Sequence, residues 1–221
     1  MQKAIFKPGL PDYITIETEE WRELLRGEDP FARDVSVEIK EEGEGMSIAV
    51  TAETSRLRSL KLRWNTPLDK RSRILRSSWE RTYGDARWRG ISGRAFLPWY
   101  FLASCEGKVK GYGVKVRPSA MCFWQADTRG ITLVLDTRCG GTGVELNGRK
   151  LEAAEIICME AEDCTSFQAA QAFCREMCTD PILPAYPVYG SNNWYYAYGD
   201  SSEKEILQDT EYLMELTTGA K

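Results

Sequence analysis

The 221-residue chain contains no histidine. That absence removes Ser-His-Asp and Cys-His nucleophilic catalysis, imidazole metal ligation and imidazole proton shuttles together. Any chemistry here would have to use carboxylates, lysine, tyrosine or cysteine. Also missing is an apolar run near the ~18–20 residues that a membrane-spanning helix needs. The opening MQKAIFKPGLPDYITIETEE has no apolar core of the secretory-signal kind and turns acidic at once, so a cytoplasmic location is expected. There is no internal repeat, no low-complexity tract and no CxxC motif. The seven cysteines, Cys105, Cys122, Cys139, Cys158, Cys164, Cys174 and Cys178, are odd in number and irregularly spaced. Reduced thiols are therefore expected rather than a disulfide framework. Cys174 and Cys178 lie four apart on a predicted helix, but nothing accompanies them to make a metal site. No metal and no cofactor are expected.

What is present, from about residue 33 to 160, is a series of short segments with period-two alternation. In DVSVEIK, Val35, Val37 and Ile39 share one face; in MSIAVTAE, Met46, Ile48 and Val50 do; in LKLRW, Leu60, Leu62 and Trp64 do. GITLVLDT reads as a strand buried on both faces. GKVKGYGVKVRP carries Val109, Tyr112 and Val114 with two glycines, the pattern of a bent or bulged strand. Asn147-Gly148, between GVEL and KLEAAEIICMEA, is a type I′ hairpin signal. Many strands with close turns and little helix predict a mainly β protein, an antiparallel β-sandwich.

After Glu162 the pattern changes. TSFQAAQAFCREMC predicts a helix, with Thr165 and Gln168 at capping-box spacing and Phe167, Ala170, Cys174 and Met177 on one face. The prolines of TDPILPAYP end it. Ser202-Glu203-Lys204-Glu205 opens a last helix through a second capping box, with Ile206, Leu207, Leu213 and Met214 as its apolar stripe. The expected organisation is a sandwich over 1–162, a helix and Pro-rich linker over 163–186, and a separate unit over 187–221.

Charge is uneven. Residues 1–55 carry a net of −7 and residues 56–94 a net of +9, in a chain of net −4. The basic stretch interleaves Trp64, Trp79 and Trp88 with arginines, a mix able to grip phosphates and stack bases. Overall acidity favours the other reading, arginines on outward strand faces paired with the acidic N-terminal third. Neither nucleic acid nor membrane is expected as a partner.

PVYGSNNWYYAYG reads as a strand, Pro187 to Gly190, running into a loop of Ser, Asn, Trp and Tyr before the last helix cap. One β/α unit of this kind is unable to bury both faces of its own strand. Residues Ser191, Asn192, Asn193 and Trp194, with the acidic capped helix after them, resemble the start of the catalytic barrel in melibiase-type α-galactosidases. SSWERTYGDARWRGISGR and LPWYFLASCEGKVKGYGV are similar in flavour to the middle strands of that group's N-terminal domain. The loop departs from the family pattern in having Tyr195 and Tyr196 directly after the Trp and little glycine. The resemblance implies a supersandwich-like β-domain, a short helical linker and the first βα unit of a truncated (β/α)8 barrel. It also implies retaining hydrolysis of α-galactosides by two aspartates on later barrel strands, so this chain alone is expected to be inactive, its sandwich serving as scaffold, cleft wall or homo-oligomer interface. By the same resemblance Trp194 offers a flat apolar face to a hexose, while Asn192 and Asn193 hold the loop or touch sugar hydroxyls. Two other readings of the chain are a stand-alone carbohydrate-binding β-sandwich and an interaction domain. Trp88, Arg89, Trp99 and Tyr100 form weaker aromatic and basic clusters, read as sandwich core and strand-end packing.

Overall fold

Alternating apolar side chains have to bury one face of every strand, and two sheets meeting face to face meet that demand. In the computed structural model, residues 1–76 and 86–217 are described. Trp79, part of the basic and aromatic stretch, lies outside them. The strands in chain order are β1 (Gln2–Phe6), β2 (Tyr13–Thr18), β3 (Arg22–Arg26), β4 (Phe31–Ala32), β5 (Val35–Glu42), β6 (Gly45–Ala52), β7 (Arg56–Trp64) and β8 (Arg73–Arg76). They continue with β9 (Arg87–Gly90), β10 (Ser92–Pro98), β11 (Tyr100–Cys105), β12 (Lys108–Val114), β13 (Met121–Asp127), β14 (Gly130–Asp136), β15 (Val144–Glu145) and β16 (Lys150–Glu162). The protein is mainly β, with two antiparallel sheets, as expected from the alternation.

Among the described residues the first sheet has the order β4-β5-β6-β16-β12-β11-β8-β9, with β1 added beside β16. The second runs β10-β13-β14-β7-β2-β3, with β15 added beside β7. The long β16 serves three partners: Lys150 to Ile156 pair with β6, Ile156 to Ala161 with β12, and Cys158 to Glu162 with β1. Strands thus begin well before residue 33. The β2 segment has the same alternation as its neighbours, with Ile14 and Ile16 fully buried.

The space between the sheets is filled by Ile14, Leu60, Leu62, Leu133 and Leu135 from one side and Val37, Ile48, Val50 and Ile156 from the other. An aromatic cluster ties the layers together. Phe101 stacks on Tyr112 at 5.0 Å, and Trp124 meets Phe101 edge-on at 5.9 Å and Trp64 at 6.1 Å. Each fully buried large apolar side chain contributes about 1.5–3 kcal/mol. The indoles also keep hydrogen-bond partners: Trp64 Nε1 donates to the Gly9 carbonyl and Trp124 Nε1 to that of Trp99.

Two local expectations about the strands are corrected. Asn147 and Gly148 do form the tight turn, with φ of 51° and 76° and the Arg149 N–H donating to the Leu146 carbonyl. Its two arms, however, do not pair: β15 joins β7 in one sheet, and β16 joins β6 in the other. The turn therefore carries the chain between layers. The two glycines of β12 make neither bend nor bulge, since its registers with β11 and β16 run unbroken. They make room for a helix. Built at Gly111, a Cβ would lie 2.9 Å from Cγ and Cδ1 of Phe173; at Gly113 it would lie 2.6 Å from Met177 Sδ.

That helix, α1 (Ser166–Met177), begins with the expected capping box, Thr165 and Gln168 exchanging side-chain-to-backbone hydrogen bonds. Its buried face is Ala169, Ala172, Phe173 and Met177, whereas Phe167 and Cys174 from the expected stripe are exposed. Two alanines and two glycines bring helix and strand close, and Phe173 fills the resulting groove. This packing makes a second apolar layer, on the outer side of the first sheet, with Leu102, Val109, Ile157 and Met159. Two compact units result, Met1–Thr179 and Asp180–Lys221, with α1 in the first. None of the described helices is long and apolar enough to cross a membrane.

Charged side chains occupy the outward face of the second sheet. Arg56 and Arg58 reach Glu19, Lys61 reaches Glu17, and Arg63 makes two hydrogen bonds to Asp127 at 2.9 and 3.0 Å. The acidic N-terminal strand β2 and its following turn thus lie beside the basic β7, the pairing expected from the charge asymmetry.

Candidate functional site

The second unit carries the residues singled out in the sequence. Pro187 to Gly190, expected as a barrel strand, form no strand. A strand exists through backbone bonds to a neighbour, and no described strand lies alongside this one. Val188 and Tyr189 are 78% and 87% exposed. The barrel strand expected here is therefore not shown by these residues on their own.

From Asn193 the chain turns helical. The short α2 (Trp194–Ala197) leads through a single 3-10 turn, Tyr198–Asp200, to α3 (Glu203–Thr217). Asn192 Oδ1 accepts from the Trp194 N–H at 2.8 Å, and Asn193 Nδ2 donates to Ser201 Oγ at 2.7 Å. Both amides thus brace the turn on which the indole sits. Trp194 is 57% exposed and packs edge-on against Tyr198 at 5.8 Å, leaving much of its surface open. Tyr198 closes α2 with a φ of 48°, a left-handed value seldom adopted by a bulky side chain.

One pairing has no forerunner in the sequence pattern. The Tyr196 hydroxyl donates to Asp209 Oδ2 at 2.5 Å, and this bond to a carboxylate raises the phenol above its ordinary range. Asp209 sits between Glu205 and Leu213 on the half-shielded face of α3. Those positions recur every four residues, so the face is visible in the sequence, although its polar members give no reason to choose it. Ile206, Leu207 and Met214, read as the apolar stripe, are all exposed. At the start of α3 the Ser202 N–H and hydroxyl both donate to the Glu205 carboxylate, which holds its acid below the usual range.

Trp194, Asn192 and Asn193 therefore stand together on one turn. The chemistry open to them is recognition, since an exposed indole and two amides supply an apolar face and hydrogen bonds but no proton-transfer pair. Among the described residues no group of three or more His, Cys, Asp or Glu is placed to hold a metal. All seven cysteines are free, with Cys122 and Cys158 buried in the sandwich. Burial pushes the Cys122 thiol up to about 12 and the Cys158 thiol upward as well, so both stay protonated and unreactive.

The weaker clusters fall at strand ends of the first unit. Trp88 and Tyr100 are half-buried against the α1 layer, and Tyr100 meets Phe173 edge-on at 6.2 Å. Arg89 is exposed opposite Ile74 in β8. Trp99 is 38% exposed at the corner where the chain passes from β10 in one sheet to β11 in the other.

No family model and no curated protein matches the chain. Among solved structures it is similar to the α-N-acetylgalactosaminidase NagBb from Bifidobacterium bifidum, in its complex with Gal-NHAc-DNJ. The identity is 9% and the TM-score 0.37, over 72% of this chain and 32% of that one. The chain thus spans about a third of that enzyme's length. A likeness at this level carries no argument about function.

Proposed function

We propose that this chain is the N-terminal, non-catalytic portion of a glycoside hydrolase of the α-galactosidase kind. In this reading its sandwich is a scaffold and its Trp194 turn is one wall of a sugar site. The observation that carries the reading is the state of the second unit. Ile182, Leu183, Tyr186, Val188 and Tyr189 are exposed, and neither α2 nor α3 buries a single residue. Apolar surface of that extent marks a face built to be covered. A neighbouring β/α array would cover it and give residues 187–190 the strand partners they lack. The Ser191 to Trp194 resemblance supplies the identity of that array. The aspartates that cleave the glycosidic bond belong to later strands, and this chain contributes binding and shape.

The self-contained sugar-binding sandwich is less well supported. Of the described sandwich tryptophans, Trp64 and Trp124 are core residues, Trp21 and Trp88 are half-buried, and Trp99 alone is exposed, so they form no stacking platform of several rings.

The test uses the complete product of the gene that encodes this chain, assayed on an aryl α-galactoside. Hydrolysis with retention at the anomeric carbon is expected. Trp194→Ala should lower kcat/KM by about tenfold or more, matching the ~1.5–3 kcal/mol of a large apolar contact. Absence of α-galactoside hydrolysis defeats the reading, and hydrolysis indifferent to Trp194→Ala removes that residue from the site.

A further inference from the structure

A groove of about 450 Å³ opens in the first unit between the C-terminal end of α1, the β10–β11 corner and the segment after β12. Trp99, Tyr100, Val116, Pro118 and Met177 supply its apolar wall, and Arg117 stands at its rim. It lies in the Met1–Thr179 unit and shares no residue with the Trp194 turn.

Two features meet in this groove. The first is backbone strain. Trp99 and Arg117 have φ of 64° and 66°, the left-handed region where glycine is at ease and a bulky side chain is not. Topology explains the bend at Trp99, because the chain must change sheets there, but a glycine would make that bend without strain. Both residues lining one groove keep side chains that the backbone would be easier without. The second feature is charge. No acidic side chain lines this groove among the described residues. Lys115 is engaged by Glu155 at the groove's edge, whereas Arg117 has no ion-pair or hydrogen-bond partner among the described residues and is exposed. The 115–118 segment, Arg117 included, also borders a second groove, which carries Glu42, Glu152 and Glu155. Of these, Glu152 and Glu155 are paired with Lys150 and Lys115.

From these we infer that the groove between α1 and the β10–β11 corner binds a small amphipathic carboxylate, its apolar body against Trp99 and Met177 and its carboxylate on the Arg117 guanidinium. An apolar wall with one unengaged cation is complementary to that ligand class. A neutral apolar molecule leaves the cation unused, and a small hydrophilic anion leaves the wall wet. Arginine suits the role because its planar fork takes a carboxylate through two parallel N–H donors.

The probe is 4-phenylbutyrate, titrated calorimetrically into the full chain, with 4-phenylbutanol as its uncharged counterpart. Saturable binding of the acid is expected, about tenfold or more tighter than the alcohol, the range for a hydrogen bond to a charged group. Arg117→Gly should weaken acid binding by a similar factor while leaving the thermal midpoint unchanged or higher, since glycine relieves the left-handed strain. Trp99→Ala should weaken acid and alcohol alike. No saturable binding of the acid overturns the inference, and so does equal affinity for the alcohol or indifference to Arg117→Gly. None of these outcomes depends on glycosidase activity.

Discussion

Phe173 is the side chain on which the second apolar layer turns, and its removal makes a sharp test of why β12 carries two glycines. The residue is fully buried, lies over Gly111 and Gly113, and meets Tyr100 at its edge. Truncation to alanine should cost about 3–5 kcal/mol, the range for a buried Phe, because both the buried area and the edge-on packing against Tyr100 disappear. Gly111→Ala alone places a methyl 2.9 Å from the Phe173 ring, closer than relaxed van der Waals packing allows, and should cost about 1–3 kcal/mol through overpacking. In the Phe173→Ala background that methyl enters vacated space. There the same change should be neutral or stabilising, since neither glycine adopts a left-handed φ that alanine would resist. The two substitutions should therefore be coupled by about 1–3 kcal/mol. The assay is urea unfolding followed by tryptophan fluorescence, which reports Trp64 and Trp124 in the sandwich core. Phe173→Leu is the milder companion should the alanine variant fail to fold, and it should give a smaller coupling of the same sign. Costs that add within about 0.5 kcal/mol would refute the claim that the glycines exist to seat the ring.

Other expectations follow from the same geometry. Asp34 links two turns, accepting from the Thr54 and Ser55 N–H groups at 2.8 and 2.7 Å and from both hydroxyls. Burial pulls its carboxyl upward, but those bonds outweigh it and hold the group well below the usual carboxylate range. A lowered pKa in the folded state gives stability that is complete above about pH 4 and lost as pH falls further. Asp34→Ala should cost about 2–3 kcal/mol at neutral pH, and Asp34→Asn should flatten the acid limb of a urea-midpoint profile. At the other extreme, Cys122 and Cys158 keep their protons when folded but ionise near pH 9 when unfolded. Stability should therefore fall from about pH 9 toward 12, and Cys122→Ala should make that fall shallower. Exposed Cys139 and Cys174 should react with a disulfide reagent in the native protein, and Cys122 and Cys158 should react only on unfolding; prompt native labelling of Cys158 would contradict its burial.

Much of this molecule is legible in one dimension because strand periodicity, caps and turn residues act over a few positions. The alternation in β5, β6 and β7, the capping box at Thr165, and the left-handed pair Asn147-Gly148 are all readable on that basis. Their destinations are not. Whether the Asn147 turn folds a hairpin or hands the chain to the other sheet depends on which neighbours β7 and β6 offer, and those lie far away in sequence. The same holds for α1, whose local pattern admits more than one apolar stripe. The groove left by Gly111 and Gly113 selects the one containing Ala169, Phe173 and Met177.

For the Trp194 turn the division is similar. Residue types alone indicate an aromatic and two amides with the means to hold a loop. That Trp194 stays exposed, that Tyr196 reaches Asp209, and that residues 187–190 stay unpaired are tertiary facts. Sequence by itself determined local backbone preference, the alternation of faces and the absence of imidazole chemistry. Tertiary structure decided which faces are buried, because burial is settled by partners that a linear chain does not name.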